Sequence, residues 1–229
     1  VASDKQKTSG KGFVPPAHAY FVLLTSLLLL WLMSPLLAML EVHILGSAVF
    51  ISLTLMAATY AMKDQGKSFV LIIVLGIVLA LFVWADFAGG AGTLWIQIGG
   101  SLAALLFFGV VAYELLLDIL AKEARVDANL ISGAIAVYLL VAVCFSFVYE
   151  LIYTLDPHSF KGLMGGTQVH TEFTYFSFVT LTTLGYGDIT PLTRVGGSFA
   201  TLEAIIGQLY LTVLVARLVG MHISQGPKD

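Results

Sequence analysis

Thr180-Leu-Thr-Thr-Leu-Gly-Tyr-Gly-Asp188 is the stretch from which the rest of this chain is read. Gly185 and Gly187 flank Tyr186 within it. A glycine inside a helix costs about 1 kcal/mol relative to alanine, so no regular helix favours this composition. The stretch lies between two long apolar runs, and in lipid irregular backbone is tolerated only where protein buries it or where it lines a watery path. Glycine admits the left-handed dihedrals that turn successive carbonyls toward one axis. Residues 183–187 therefore read as a ribbon that can offer its own carbonyl oxygens to such a path. The plainer alternative is a glycine-rich outer turn with an interfacial tyrosine.

Composition sets the class. Of 229 residues, 59% are hydrophobic and 11% charged, too apolar for a soluble domain of this length. The net charge of −3 argues against a nucleic-acid partner. The single cysteine, Cys144, lies in an apolar run, so no intrachain disulfide forms and no metal cluster is suggested.

Outward from the ribbon, long apolar runs with few or no charges predict an all-α membrane protein with six spans. They cover about 20–40, 43–62, 68–85, 93–117, 128–153 and 195–219, with a tight turn near Glu41 because one helix over the first two runs would far exceed a bilayer. Six spans with both termini in the cytoplasm place Lys5, Lys7, Lys11, Lys63, Lys67, Lys122, Arg125, Arg217 and Lys228 inside and leave Lys161 and Arg194 outside. That matches the positive-inside tendency. Three parts follow: residues 1–17 as a flexible cytoplasmic arm, 18–127 as a four-span module with its linker, and 128–229 as a pore module. About ten residues, Glu172 to Leu181, are too few to cross and predict a re-entrant helix, with Thr171 as N-cap and Glu172 at the positive end of its dipole.

The segment from the fifth span through the sixth resembles the tetrameric potassium channel family. The family filter is Thr-Val-Gly-Tyr-Gly followed by Asp, with a second Thr before it. Thr182, Thr183, Gly185, Tyr186, Gly187 and Asp188 match, and Leu184 stands where Val is usual. The resemblance implies a potassium-selective channel in a cell (plasma or inner) membrane, a homotetramer within the lipid bilayer. K+ would be held by Thr183, Leu184, Gly185 and Tyr186, with Gly187 completing the filter. The bulkier Leu184 alters packing behind the filter rather than its carbonyl.

The resemblance also implies supporting residues. Tyr175 falls where the family has a tryptophan bonded to the filter aspartate, so a Tyr175–Asp188 bond is expected. Phe173, Tyr175, Phe176 and Phe178 would wedge the filter from behind. Glu150 resembles a glutamate that caps backbone amides beside the filter. Gly207 lies at the family's inner-helix hinge, with close helix packing the equal alternative. Glu203 faces either the re-entrant helix or the cavity, Gln208, Leu211 and Val215 face the cavity, and Val219 lies near an inner constriction.

Two negative expectations complete the sequence reading. Voltage sensing needs charge in the field, about 2.3 kcal/mol per charge per 100 mV, and residues 93–121 contain no Lys or Arg. The chain shows no cytoplasmic regulatory domain and no nucleophile–base pair, nucleotide loop or organic-cofactor motif, so it is not read as an enzyme. The competing readings are a secondary transporter with a broken-helix site and a weakly selective cation channel.

Overall fold

A computed structural model describes residues 18–39, 43–61, 67–85, 88, 93–121, 127–164 and 169–224. The N-terminal arm, the turn near Glu41 and Lys122 and Arg125 lie outside them, as does most of the Lys63–Lys67 loop. Within the described residues the chain forms helices α1 (Ala19–Met39), α2 (His43–Ala61), α3 (Lys67–Ala85), α4 (Leu94–Ala121), α5 (Ala128–Leu155), α6 (Val169–Leu181) and α7 (Arg194–Ser224). Two short strands, β1 (Phe160–Lys161) and β2 (Thr190–Pro191), pair antiparallel on either side of α6.

Among the described residues three helices are long and apolar enough to cross a membrane: Leu94–Ala121, Ala128–Leu155 and Arg194–Gly220. Helix α5, with 28 residues, reaches about 42 Å, more than the roughly 30 Å of a hydrocarbon core. Asp127 caps it by accepting from Leu130 N at 2.7 Å. The apolar stretches Ala19–Met33 and Phe69–Ala85 are shorter.

Helix α5 is the hub. It packs on α4, α1, α6 and α7. One apolar core gathers Tyr20 and Leu23 of α1, Phe107 and Leu115 of α4, and Leu140 of α5, with Tyr210, Leu214 and Leu218 of α7 against it. Polar ties cross this core at its edges. The Tyr20 hydroxyl donates to Asp118 on α4, and a Cβ at Gly133 would lie 2.8 Å from the Tyr20 ring. Tyr210 on α7 donates to the Ala134 carbonyl at 2.6 Å, and Arg217 Nη2 donates to the Leu120 carbonyl at 2.8 Å. That carbonyl is among the last four of α4, which have no partner within the helix.

A second core, Tyr149, Phe160, Phe173, Phe176 and Ile189, sits where α5 and α6 meet the β1–β2 pair. Tyr149 stands edge-on to Phe160 and Phe176, with ring centroids 5.7 and 4.9 Å away. This aromatic cluster fixes α6 against α5, and so fixes where the chain leaves α6.

Candidate functional site

The chain leaves α6 at Leu181 and runs without regular structure to the β2 strand. Positive φ angles occur at Thr183 (58°), Gly185 (61°) and Gly187 (76°), while Leu184 and Tyr186 keep the usual sign. The alternation explains both glycines, since an L-residue with φ in this region is sterically penalised. Thr183 is the one non-glycine residue among the described ones to accept that penalty. Alternating hand swings successive carbonyls to the same side of a ribbon, where a uniform strand would send them to opposite sides.

The amides at the start of the ribbon are tied back to α6. Thr182 N donates to the Phe178 carbonyl, Thr183 N to Thr180, and Leu184 N and Gly185 N both to Val179, at 2.9–3.3 Å. These are the carbonyls that a helix end leaves without partners. Leu184 and Tyr186 are exposed in the single chain.

Side chains brace both ends of the ribbon. At its far end the Tyr175 hydroxyl donates to Asp188 Oδ2 at 2.6 Å, and the Tyr175 and Tyr186 rings stack with centroids 6.5 Å apart. The Tyr175 hydrogen bond holds the Asp188 carboxyl below the usual carboxylate range, with help from the Ile189 amide. Beyond it Gly162 (φ 89°) lets the β1 turn lie directly on the Asp188 carbonyl, which a Cβ there would overlap. At the near end the Gln208 amide donates to Thr183 Oγ1 at 3.1 Å, and the Tyr138 hydroxyl to the Leu181 carbonyl at 3.2 Å.

Several expectations need correction. Helix α6 begins at Val169 rather than Glu172, so Thr171 lies inside the helix instead of capping it. Glu172 remains in the first turn, and its carboxylate accepts from Met164 N at 3.1 Å. Glu150 bonds His170 Nδ1 at 2.9 Å rather than capping backbone amides, because His170, stacked on Phe147, is within reach first. Phe173 and Phe176 belong to the second core and Phe178 packs on Trp31 of α1, 5.1 Å between centroids, so Tyr175 alone of the four rings stacks on the ribbon's tyrosine.

Of the two orientations expected for Glu203, the structure shows the one toward α6 and not the one toward a cavity. Glu203 is fully buried between α7, α5 and α6, where Tyr149 and Ser177 bond it, two partners that sequence reasoning missed. Gly207 lies in an unbroken helix, and a Cβ there would overlap the Leu181 carbonyl oxygen, so this glycine serves close packing. Gln208 reaches the ribbon, and Leu211, Val215 and Val219 are exposed.

A family model described as "Ion channel" matches residues 134–223, which hold most of α5, all of α6, the ribbon and nearly all of α7. The chain is also similar to the two pore potassium channel c of Oryza sativa subsp. japonica, 36% identical over 67 residues. That match takes in 29% of this chain and 15% of the relative, so the chain corresponds to a small part of that protein. No solved structure matches.

Proposed function

We propose that this chain, whose residues 134–223 match an ion-channel family model and which is similar over 67 residues to a two pore potassium channel, is one subunit of a homotetrameric, six-span potassium channel that conducts K+ passively across a membrane. The observation that carries the reading is the alternation of positive φ at Thr183, Gly185 and Gly187. It supports a ribbon whose carbonyls share one side, as a water-replacing cage for a bare cation requires. Helix α6, 13 residues or about 20 Å long, is then the re-entrant pore helix, too short to span.

In this reading a K+ ion exchanges hydration water for the carbonyls of Thr183, Leu184, Gly185 and Tyr186 and the Thr183 hydroxyl. Neighbouring ions repel, so each entry promotes the next exit. Amides bound back to α6 leave the carbonyls as the free groups of the ribbon, and the negative end of the α6 dipole favours a cation below it. One chain supplies one ribbon, and a cage needs a ring. The tetramer is supported by the surface of α7, where Leu202, Ile205, Leu209, Val213 and Val215 stand exposed on a membrane-length helix. Helix α4 carries no basic residue, so the proposed gating does not run on a basic-residue voltage sensor.

The test is the reversal potential of purified protein in a planar bilayer under a potassium/sodium gradient. A potassium-selective current is expected, with selectivity falling sharply in Tyr186→Asp and in Gly187→Ala. A permeability ratio unchanged by both substitutions, or flux without unitary steps, overturns the proposal.

A further inference from the structure

Behind the ribbon, three helices meet at one buried carboxyl group. Glu203 Oε2 lies 2.5 Å from the Tyr149 hydroxyl, and Oε1 is bonded to the Ser177 hydroxyl. Ser177 Oγ also lies 2.7 Å from the Ala142 carbonyl oxygen. All these contacts are within the buried interior, with Glu203, Ser177, Tyr149 and Ala142 each fully covered.

Counting protons decides the state of this group. A hydroxyl carries one proton and a carbonyl carries none. The Ser177 proton is therefore committed to the Ala142 carbonyl, and the Ser177–Glu203 contact needs a proton from the other side. An ionised carboxylate is acceptor-only, whereas a carboxylic acid has one proton to give. The surroundings agree. Tyr149 on α5 is the titratable group that bonds Glu203, Tyr138 lies on the same helix, and α6 presents Ser177 with its neighbouring rings Phe173 and Phe176. Among the described residues no Lys, Arg or His pairs with Glu203. A buried carboxylate without a counter-charge is strongly disfavoured.

We infer that Glu203 is a neutral carboxylic acid, donating from Oε1 to Ser177 Oγ, and that it is a positioning residue which holds α6, and through it the ribbon, against α5 and α7. Each polar group then has its partner in one direction: Tyr149 donates to Glu203, Glu203 to Ser177, and Ser177 to the Ala142 carbonyl. Ser177 sits two residues before Val179, whose carbonyl holds the Leu184 and Gly185 amides. A shift of α6 at Ser177 is thus a shift of the ribbon. The positioning role rests on the channel reading, whereas the protonation state does not.

The experiment has two arms on the full chain. In liposomes at neutral pH, the infrared difference between wild type and Glu203→Gln should contain a deuterium-sensitive carboxylic-acid carbonyl band. A lost carboxylate band in its place overturns the assignment, whether or not the protein conducts. In planar bilayers, Glu203→Ala and Ser177→Ala should each lower potassium open probability about tenfold, the scale of one buried hydrogen bond. Glu203→Gln should restore it, because an amide donates to Ser177 and accepts from Tyr149 in the same pattern. Failure of the glutamine to restore the current, with the acid band present, overturns the positioning role alone. A wild type that passes no potassium overturns the channel reading and leaves the infrared arm to decide the proton.

Discussion

The Tyr175 hydroxyl and the Asp188 carboxylate are joined at 2.6 Å, which ties the middle of α6 to the residue ending the glycine ribbon. The bond favours the ionised carboxylate, so Asp188 titrates below its ordinary value. A depressed folded-state pKa contributes stability above the unfolded value of about 3.9 and loses it as pH falls through the lower, folded value. Tyr175→Phe removes the largest cause. The outer end of the ribbon in that variant should lose its order at a higher pH than in wild type. Acid titration of potassium current from the ribbon's outer side checks this, and coincident midpoints would contradict it.

Gln208 donates to Thr183 Oγ1 and so occupies part of the acceptor capacity at the end of the ribbon nearest α6. Gln208→Leu frees it. Block by barium applied from the inner side should tighten by up to about tenfold, the worth of one hydrogen bond to an ion. The potassium/sodium ratio should be retained. A barium affinity equal to that of wild type would show that the Gln208 bond does not influence ion binding.

Gly207 packs against the Leu181 backbone with no room for a methyl group. Gly207→Ala is expected to cost about 1–3 kcal/mol through overpacking, seen as a lower denaturation temperature of the assembled protein in detergent. Altered gating at undiminished stability would instead return the hinge reading to this position.

Gly162 is constrained twice, by φ of 89° and by the Asp188 carbonyl lying where a Cβ would go. Gly162→Ala should displace the β1 turn from the ribbon's outer end. Potassium selectivity should fall while α5 and α7 stay folded, as measured by reversal potential alongside circular dichroism. Unchanged selectivity would mean that the β1–β2 pair does not support the ribbon.

How much was legible in the sequence follows from what each feature depends on. The helices were readable because a long apolar run must find its backbone partners within itself, and α4 begins within one residue of its expected start. The ribbon was readable because Gly185 and Gly187 announce a backbone that other residues avoid. The Tyr175–Asp188 bond was readable through family resemblance. Rotation about the helix axis was not. A membrane helix is apolar on every side, so no polar stripe says which way Glu203 points or that Tyr149 and Ser177 will meet it. The start of α6 was missed for a related reason: Val169 and His170 carry no signal that separates a first helical turn from the loop before it. Glu150 was assigned to backbone amides because a histidine twenty residues on is invisible as a partner until the helices are placed.

Leu120 and Arg217 stand 97 residues apart in the chain and touch where α4 ends. Around Arg217, α7 cannot move away from α4 without either letting go of that carbonyl or dragging α4 along. Helix α4 is therefore harnessed at its C-terminal end to α7, and a pull on one of the two is felt by the other.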